Sequence, residues 1–262
     1  MTKTSYFEPP IPRVFAHRGF SYLVPGVDEN TMESFRTALD RGASHIETDT
    51  QATLDGVAVL FHDTTLLRLM SVDAKVSELT FAELSSYSLP NNGKVPSLDQ
   101  VLRELPGARL NIDIKSAGAV APTVRAIEEN NAHDRVLVSS FSNGRRKRAL
   151  ALLSRPVATS GSMSDVLRIW LAHKFLGGFR LKALTKGLDA LQLPRNYGLI
   201  LFAKPKFIAA MAANDLEVHF WTVNEIDQMR ELLSMGASGV VTDRCDLASK
   251  LCLVCENGAL GN

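Results

Sequence analysis

Short apolar runs alternate with amphipathic stretches from one end of the chain to the other. Runs of strand character fall at 13–17, 44–50, 57–61, 109–114, 135–140, 156–160, 190–193, 217–222 and 239–242. Helical patterns lie between them, near 31–41, 97–105, 120–131, 143–154, 164–176, 204–214, 225–235 and 245–255. Strands separated by helices of this length predict parallel β/α units. No Gly/Ser linker, low-complexity run or composition break interrupts the alternation, so one catalytic domain over 1–262 is expected. A β/α barrel takes roughly 250 residues, and the chain has 262. The expected fold is therefore α/β, a single (β/α)8 barrel.

The first helical pattern shows how local the signals are. Asn30 is a candidate N-cap with Glu33 three residues on, a reciprocal capping pair. Met32, Phe35, Ala38 and Leu39 form one apolar stripe, and Gly42 supplies a left-handed stop. Residues 64–96 are less regular. Thr80 can cap a short helix through Tyr87, and Asn91-Asn92-Gly93 reads as a turn. That segment is expected to be an excursion above the barrel, beside the face where loops shape the substrate pocket.

Charge and cysteine content narrow the function. Twenty-nine basic and 28 acidic residues are interspersed, and no basic stripe suggests a nucleic-acid partner. Arg145-Arg146-Lys147-Arg148 is the one tight cluster, and around a helix it reads as a solvated start rather than a binding patch. The first twelve residues lack the apolar core of a secretory signal. Cys245, Cys252 and Cys255 are an odd set near the end of the chain, which points to reduced thiols and a cytoplasmic location. Cys252 and Cys255 have CxxC spacing, but no second pair or nearby histidine completes a zinc site. Residues 164–181 carry more apolar side chains than one helix face can hold, with Arg168 and Lys174 among them. Burial against the strands is the ordinary reading, and a peripheral lipid-surface contact is the alternative.

The chemistry concentrates where apolar runs end. His17-Arg18-Gly19 closes one run and His62-Asp63 another, while Glu47-Thr48-Asp49 and Asp113-Ile114-Lys115 lie at the ends of two more. The C-terminal ends of strands are where a β/α barrel keeps its active site. On a strand, a spacing of two puts Glu47 and Asp49 on one face, and Asp113 and Lys115 on one face of another. Charges facing the inside of a sheet are costly unless paired or metal-bound. Glu47, Asp49 and Asp113 together suit a hard divalent cation, Mg²⁺ or Ca²⁺, better than zinc; a carboxylate–lysine ion-pair network is the structural alternative. His17 and His62 supply a base and an acid for a phosphodiester. Arg18 and Lys115 supply positive charge for its oxygens, and Gly19 leaves room for the backbone to approach a ligand.

In this ordered set the sequence resembles the glycerophosphodiester phosphodiesterases. The resemblance rests on His17-Arg18-Gly19, Glu29-Asn30-Thr31, Glu47-x-Asp49, His62-Asp63, Asp113-x-Lys115, Trp221-Thr222-Val223-Asn224 and Gly239-Val240-Val241-Thr242-Asp243, across roughly residues 13–247. It implies a barrel that hydrolyses a small-molecule glycerophosphodiester to an alcohol and glycerol 3-phosphate. The histidines matching His17 and His62 would be the acid–base pair. A divalent cation would be held at Glu47, Asp49 and Asp113, and the phosphate at Arg18 and Lys115. Glu29 would lie near the glycerol, and Trp221 would wall the pocket. Two positions depart from the usual pattern. Asp113 stands where a glutamate is usual, so either its strand lies closer to the metal or a water bridges the gap. Leu69-Met70 stand where threonines often follow the arginine matching Arg68, which alters the lip of the pocket. Two other readings compete: a lysophospholipase D-like hydrolase acting on lysophospholipids, and a non-catalytic barrel that binds phosphate esters.

Overall fold

The computed structural model describes residues 4–256. Eight parallel strands form the barrel: β1 (Arg13–His17), β2 (His45–Ala52), β3 (Leu110–Ile114), β4 (Val136–Ser139), β5 (Ala158–Thr159), β6 (Ala190–Leu193), β7 (Glu217–Phe220) and β8 (Gly239–Thr242). Each pairs with its sequence neighbours, and β1 also pairs with β8 through Phe15 opposite Val241. A parallel bridge from Ser160 to Ala190 brings β5 and β6 together.

One principal barrel helix follows each strand. These are α1 (Met32–Asp40), α2 (Leu98–Glu104), α3 (Val120–Glu129), α4 (Asn143–Leu152), α5 (Met163–Phe175), α6 (Pro205–Ala212), α7 (Ile226–Ser234) and α8 (Cys245–Glu256). Their apolar faces pack on the outside of the strands. Phe35, Ile46 and Ile112 share one cluster on one side of the barrel; Ile169, Phe207 and Val240 share another. Cys245 and Cys252 are buried on α8, and burial pushes the Cys245 thiol up to about 12. The side chain of Cys255 lies outside the described residues.

Nine strand-like runs supply eight staves. The run at 57–61 forms a short strand, Ala58–Leu60, that pairs antiparallel with β2. Five residues separate it from β2, room for a hairpin but not for a parallel crossover. The excursion then follows, as the sequence predicts. It carries short helices at Leu67–Met70 and Phe81–Ser86, the second capped by Thr80 in a reciprocal pair with Glu83. Val59, Phe61, Leu66, Val76, Leu84, Leu89 and Val95 give it a small core of its own. The Asp28 carboxylate fastens it by accepting from the backbone amides of Asn91 and Gly93.

One expectation about local structure is corrected. Thr31, not Asn30, caps α1: its hydroxyl accepts from Ser34 N–H at 3.2 Å, and the Ser34 hydroxyl accepts from Thr31 N–H at 3.1 Å. Asn30 is left-handed (φ 55°), a conformation asparagine tolerates, and its side chain turns toward β2. Packing also demands glycine at position 19. Gly19 has φ +81°, and a Cβ there would lie 2.3 Å from the Ser34 hydroxyl. Gly42 (φ 86°) ends α1 as expected.

The alternation of side chains along the strands divides the barrel interior into two ends. Phe15, His45 and His219 fill the N-terminal end; the ring of Phe15 lies 4.7 Å from that of His45 and 4.5 Å from that of His219. Arg13 bridges to Glu217 at 2.7 and 2.9 Å, and Tyr6 is fully buried beneath them. Two residues further on, the same inward rows carry His17, Glu47 and Trp221 to the other end.

Candidate active site

At the C-terminal ends of the strands lies a cavity of about 220 Å³. His17, Arg18, Glu47, Asp49, His62, Asp113, Lys115 and Trp221 all line it. The remaining wall, from β4 round to β6, presents Phe141, Met163, Val166, Gln192, Leu193 and Phe202. All the carboxylates of the lining come from β2 and β3, and none from that wall.

Each histidine is held by a carboxylate. The Nδ1 of His17 lies 2.7 Å from Oδ1 of Asp243, just past β8. Asn224 steadies Asp243 by donating to its other oxygen at 2.7 Å and accepting from its backbone amide at 2.9 Å. Burial pulls the pKa of His17 down, but the Asp243 hydrogen bond and the charges of Glu47 and Asp243 outweigh it and leave the ring more basic than usual. His62 Nδ1 lies 2.7 Å from Asp63 Oδ1. The arrangement leaves Nε2 of both rings for proton exchange in the cavity.

The carboxylates occupy a crowded, buried end of the barrel. Burial first, and the charge of Asp49 next, push the Glu47 carboxyl up to about 7. Burial would raise Asp49 as well, but Lys115, His62 and Arg18 hold it low. Lys115 Nζ sits 2.8 Å from both Asp49 Oδ1 and Asp113 Oδ2. Burial opposes its charge, and those two carboxylates more than restore it. Asp113 is raised by burial despite Lys115, and its Oδ1 is buried with no hydrogen-bond partner.

As they stand, no three His, Cys, Asp or Glu side chains among the described residues form a cluster able to hold a metal ion. Lys115 occupies the space between Asp49 and Asp113, which is the ion-pair arrangement. The donor chemistry still fits a hard cation: Glu47 is destabilised as an anion, and one oxygen of Asp113 lacks a partner.

Arg18 is left-handed (φ 55°), and this swings its guanidinium over the mouth, 3.4 Å from Asp49 Oδ2. Glu29 does not line the cavity. Its carboxylate accepts from Arg18 at 3.0 Å and from Arg68 at 2.6 Å. Burial would raise its pKa, but the two guanidiniums hold it below the usual carboxylate range. It thus reaches the site through Arg18. Arg68 also bonds Asp63, linking Glu29 to the carboxylate behind His62.

Four residues support the site in ways the sequence does not show. Asp243 and Asn224 lie within quoted motifs but were given no role. Asn30 accepts from Thr48 at 2.7 Å and approaches Asp49 at 3.4 Å. Arg145 corrects the reading of its basic cluster as merely solvated. It donates to the Lys115 carbonyl and, at 3.0 Å, to Ser140, while the buried Arg146 pairs with Asp165 at 3.0 Å.

A model of the glycerophosphoryl diester phosphodiesterase family matches residues 17–247. The chain belongs to this family. A Mycobacterium tuberculosis protein described as "Probable glycerophosphodiester phosphodiesterase 2" is 41% identical over 235 residues, covering 88% of this chain and 87% of its own. A Bacillus altitudinis glycerophosphodiester phosphodiesterase is 31% identical, with 91% and 97% covered. Among solved structures, an Oleispira antarctica phosphodiesterase in complex with the product sn-glycerol-3-phosphate superposes with a TM-score of 0.74 at 22% identity, covering 93% of this chain and 97% of that one. That likeness shows the barrel fold.

Proposed function

We propose that this chain hydrolyses glycerophosphodiesters to an alcohol and glycerol 3-phosphate by histidine acid–base catalysis, aided by a divalent cation. The observation that carries the reading is the pair of histidines, each held through Nδ1 by a carboxylate at 2.7 Å, on one cavity with Arg18 and Lys115. One ring takes a proton from the attacking oxygen as it bonds to phosphorus. The other gives a proton to the alkoxide as the old P–O bond breaks. Arg18 offers a planar fork to two phosphate oxygens, and Lys115 a point charge as negative charge grows on the phosphorane.

Glu47, Asp49 and the free oxygen of Asp113 would hold the cation, which supplies charge neutralisation at the phosphate when bound. Trp221 stands beside Phe141 (ring centroids 5.8 Å apart) and bounds the wall that lacks carboxylates, where the alcohol half would rest. The test is hydrolysis of a panel of glycerophosphodiesters by purified protein, before and after exhaustive chelation. Turnover that chelation abolishes and Mg²⁺ or Ca²⁺ restores is expected. Full activity with metal content shown to be negligible refutes the role of the cation, and no turnover of any diester refutes the activity.

A further inference from the structure

Residues 143–187 contain ten lysines and arginines and a single acidic residue, Asp165, although the whole chain is nearly balanced at 29 basic and 28 acidic. The rest of the molecule is therefore net acidic, and this one segment, α4 through the turn after α5, is strongly basic. Arg145 and Arg146 are spent inward. Lys147, Arg168 and Lys186 instead border an open hollow between α4 and α5, floored by Leu150, Leu184 and Leu188.

Leu152 and Leu171 of this segment are about half exposed, and its most exposed apolar side chains gather at one place. Val166, Ile169 and Ala172 form the buried stripe of α5. Past its end the backbone folds tightly: Gly178 N–H donates to the Ala172 carbonyl at 3.2 Å and Phe179 N–H to that of Leu176 at 2.9 Å. Gly177 and Gly178 are both left-handed (φ 55° and 84°), which makes the turn possible. It projects Phe175, Leu176 and Phe179 outward at 65%, 55% and 72% exposure. Lys174, Arg180 and Lys182 surround them, all exposed. The Lys174 ammonium lies 4.6 Å from the Trp170 ring and 5.1 Å from that of Phe175. An apolar tip ringed by cations matches a surface whose interior is apolar and whose headgroups are negative.

We propose that the turn at 175–179 and its basic surround dock the protein on an anionic lipid bilayer. The phenyl rings enter the acyl boundary, and Lys174, Arg180 and Lys182 meet the headgroup phosphates. The first turn of α5 supplies Met163 and Val166 to the cavity, and Phe175 lies twelve residues further along, about 18 Å at the helical rise of 1.5 Å per residue. Docking at that end leaves the mouth of the barrel open to water, and a docked molecule still takes water-soluble diesters.

The experiment is sedimentation of the full chain with vesicles of phosphatidylcholine alone or containing about 30 mol% phosphatidylglycerol. Binding to the anionic vesicles only, weakened about tenfold or more by high salt, is expected. Phe175→Ser with Phe179→Ser, and separately Lys174→Glu, Arg180→Glu and Lys182→Glu together, should each lower the bound fraction about tenfold. Diester hydrolysis in solution and the circular dichroism spectrum should stay as in wild type. No binding to anionic vesicles, or equal binding by both variants, overturns the proposal. So does a dimer in light scattering that the double serine variant converts to monomer, since the face would then belong to a second copy.

Discussion

Asp243→Asn is the most discriminating perturbation of the site. It keeps the shape of the side chain and its neighbour Asn224, but removes the charge 2.7 Å from His17 Nδ1. A hydrogen bond to a charged group contributes about 1.5–3 kcal/mol. If that bond matters mainly when His17 carries the extra proton, its loss slows turnover by roughly 10- to 150-fold. The His17 and Asp243 side chains are 21% and 31% exposed, so solvent screens part of the interaction and the lower end is favoured. The pH dependence has a definite sign. Asp243 and Glu47 raise the His17 pKa against burial, so without the Asp243 charge that pKa falls. The limb of the kcat/KM profile that reports His17 then moves to lower pH. An acid limb that moves identifies His17 as the base, and an alkaline limb that moves identifies it as the acid. Asp243 acts through His17, so the same substitution in a His17→Ala background should cost little further. Turnover within threefold of wild type, a limb that moves upward, or full additivity with His17→Ala would refute the reasoning.

His17→Ala and His62→Ala should each lower turnover by roughly 10²–10⁴-fold, and a substrate with a very good leaving group should rescue only the variant lacking the acid; a loss below tenfold in both would remove the acid–base assignment. Arg18→Lys keeps the charge but loses the fork, so a large loss across every diester is expected, and a loss confined to one alcohol would place Arg18 on that half of the substrate. Glu47→Gln should abolish activity yet raise the Tm of chelated protein by about 2–4 °C, because a buried anion crowded by Asp49 is replaced by a neutral side chain; a lower Tm would contradict the crowding. Burial holds the His45 pKa down to about 3, below its unfolded value of about 6.5. The unfolded chain therefore binds the extra proton over that window, and stability falls by up to about 1.4 kcal/mol per pH unit as pH drops below about 6.5. Urea melts of wild type and His45→Gln between pH 5 and 6.5 should show a shallower slope in the variant.

Most of the mouth was legible because its signal is local. Glu47 and Asp49 are two apart on a strand, and so are Asp113 and Lys115, and a two-residue period needs no knowledge of the rest of the chain to place each pair on one face. The residues that complete the site come from far away in sequence. His17 and Asp243 are 226 positions apart, and nothing near either one announces the other. Glu29 illustrates the converse. The resemblance implies a place near the glycerol, but the Arg68 guanidinium that its carboxylate also binds belongs to the excursion, whose path the hydrophobic pattern does not define. The run at 57–61 was legible as a strand but not as an antiparallel one, since direction depends on the length of the connection and on the partner. The cap of α1 failed for a subtler reason. Asn30 and Thr31 are both good caps by type, and the left-handed turn that frees Asn30 for β2 is a tertiary demand.

The two ends of the barrel treat buried charge in opposite ways, and the contrast explains why the chemistry sits where it does. At the N-terminal end Glu217 is buried, yet Arg13 contacts both of its oxygens and His219 one of them. Those partners overcome burial and hold its carboxyl far below the usual range. At the C-terminal end three buried carboxylates share Lys115 and Arg18. The shortage shows as a Glu47 raised to about 7 and an Asp113 oxygen without a partner. A fold that satisfies Glu217 so fully could satisfy Glu47 with one more guanidinium. Glu29 shows where such a group went: Arg68 reaches across the mouth and pairs with Glu29 and Asp63, not with Glu47 or Asp113. The unspent negative charge is thus left facing the cavity, where a cation and a phosphoryl group together would neutralise it. Electrostatic strain at the mouth is tolerated because the paired, tightly packed opposite end and the helix-covered strands hold the barrel together without help from the site.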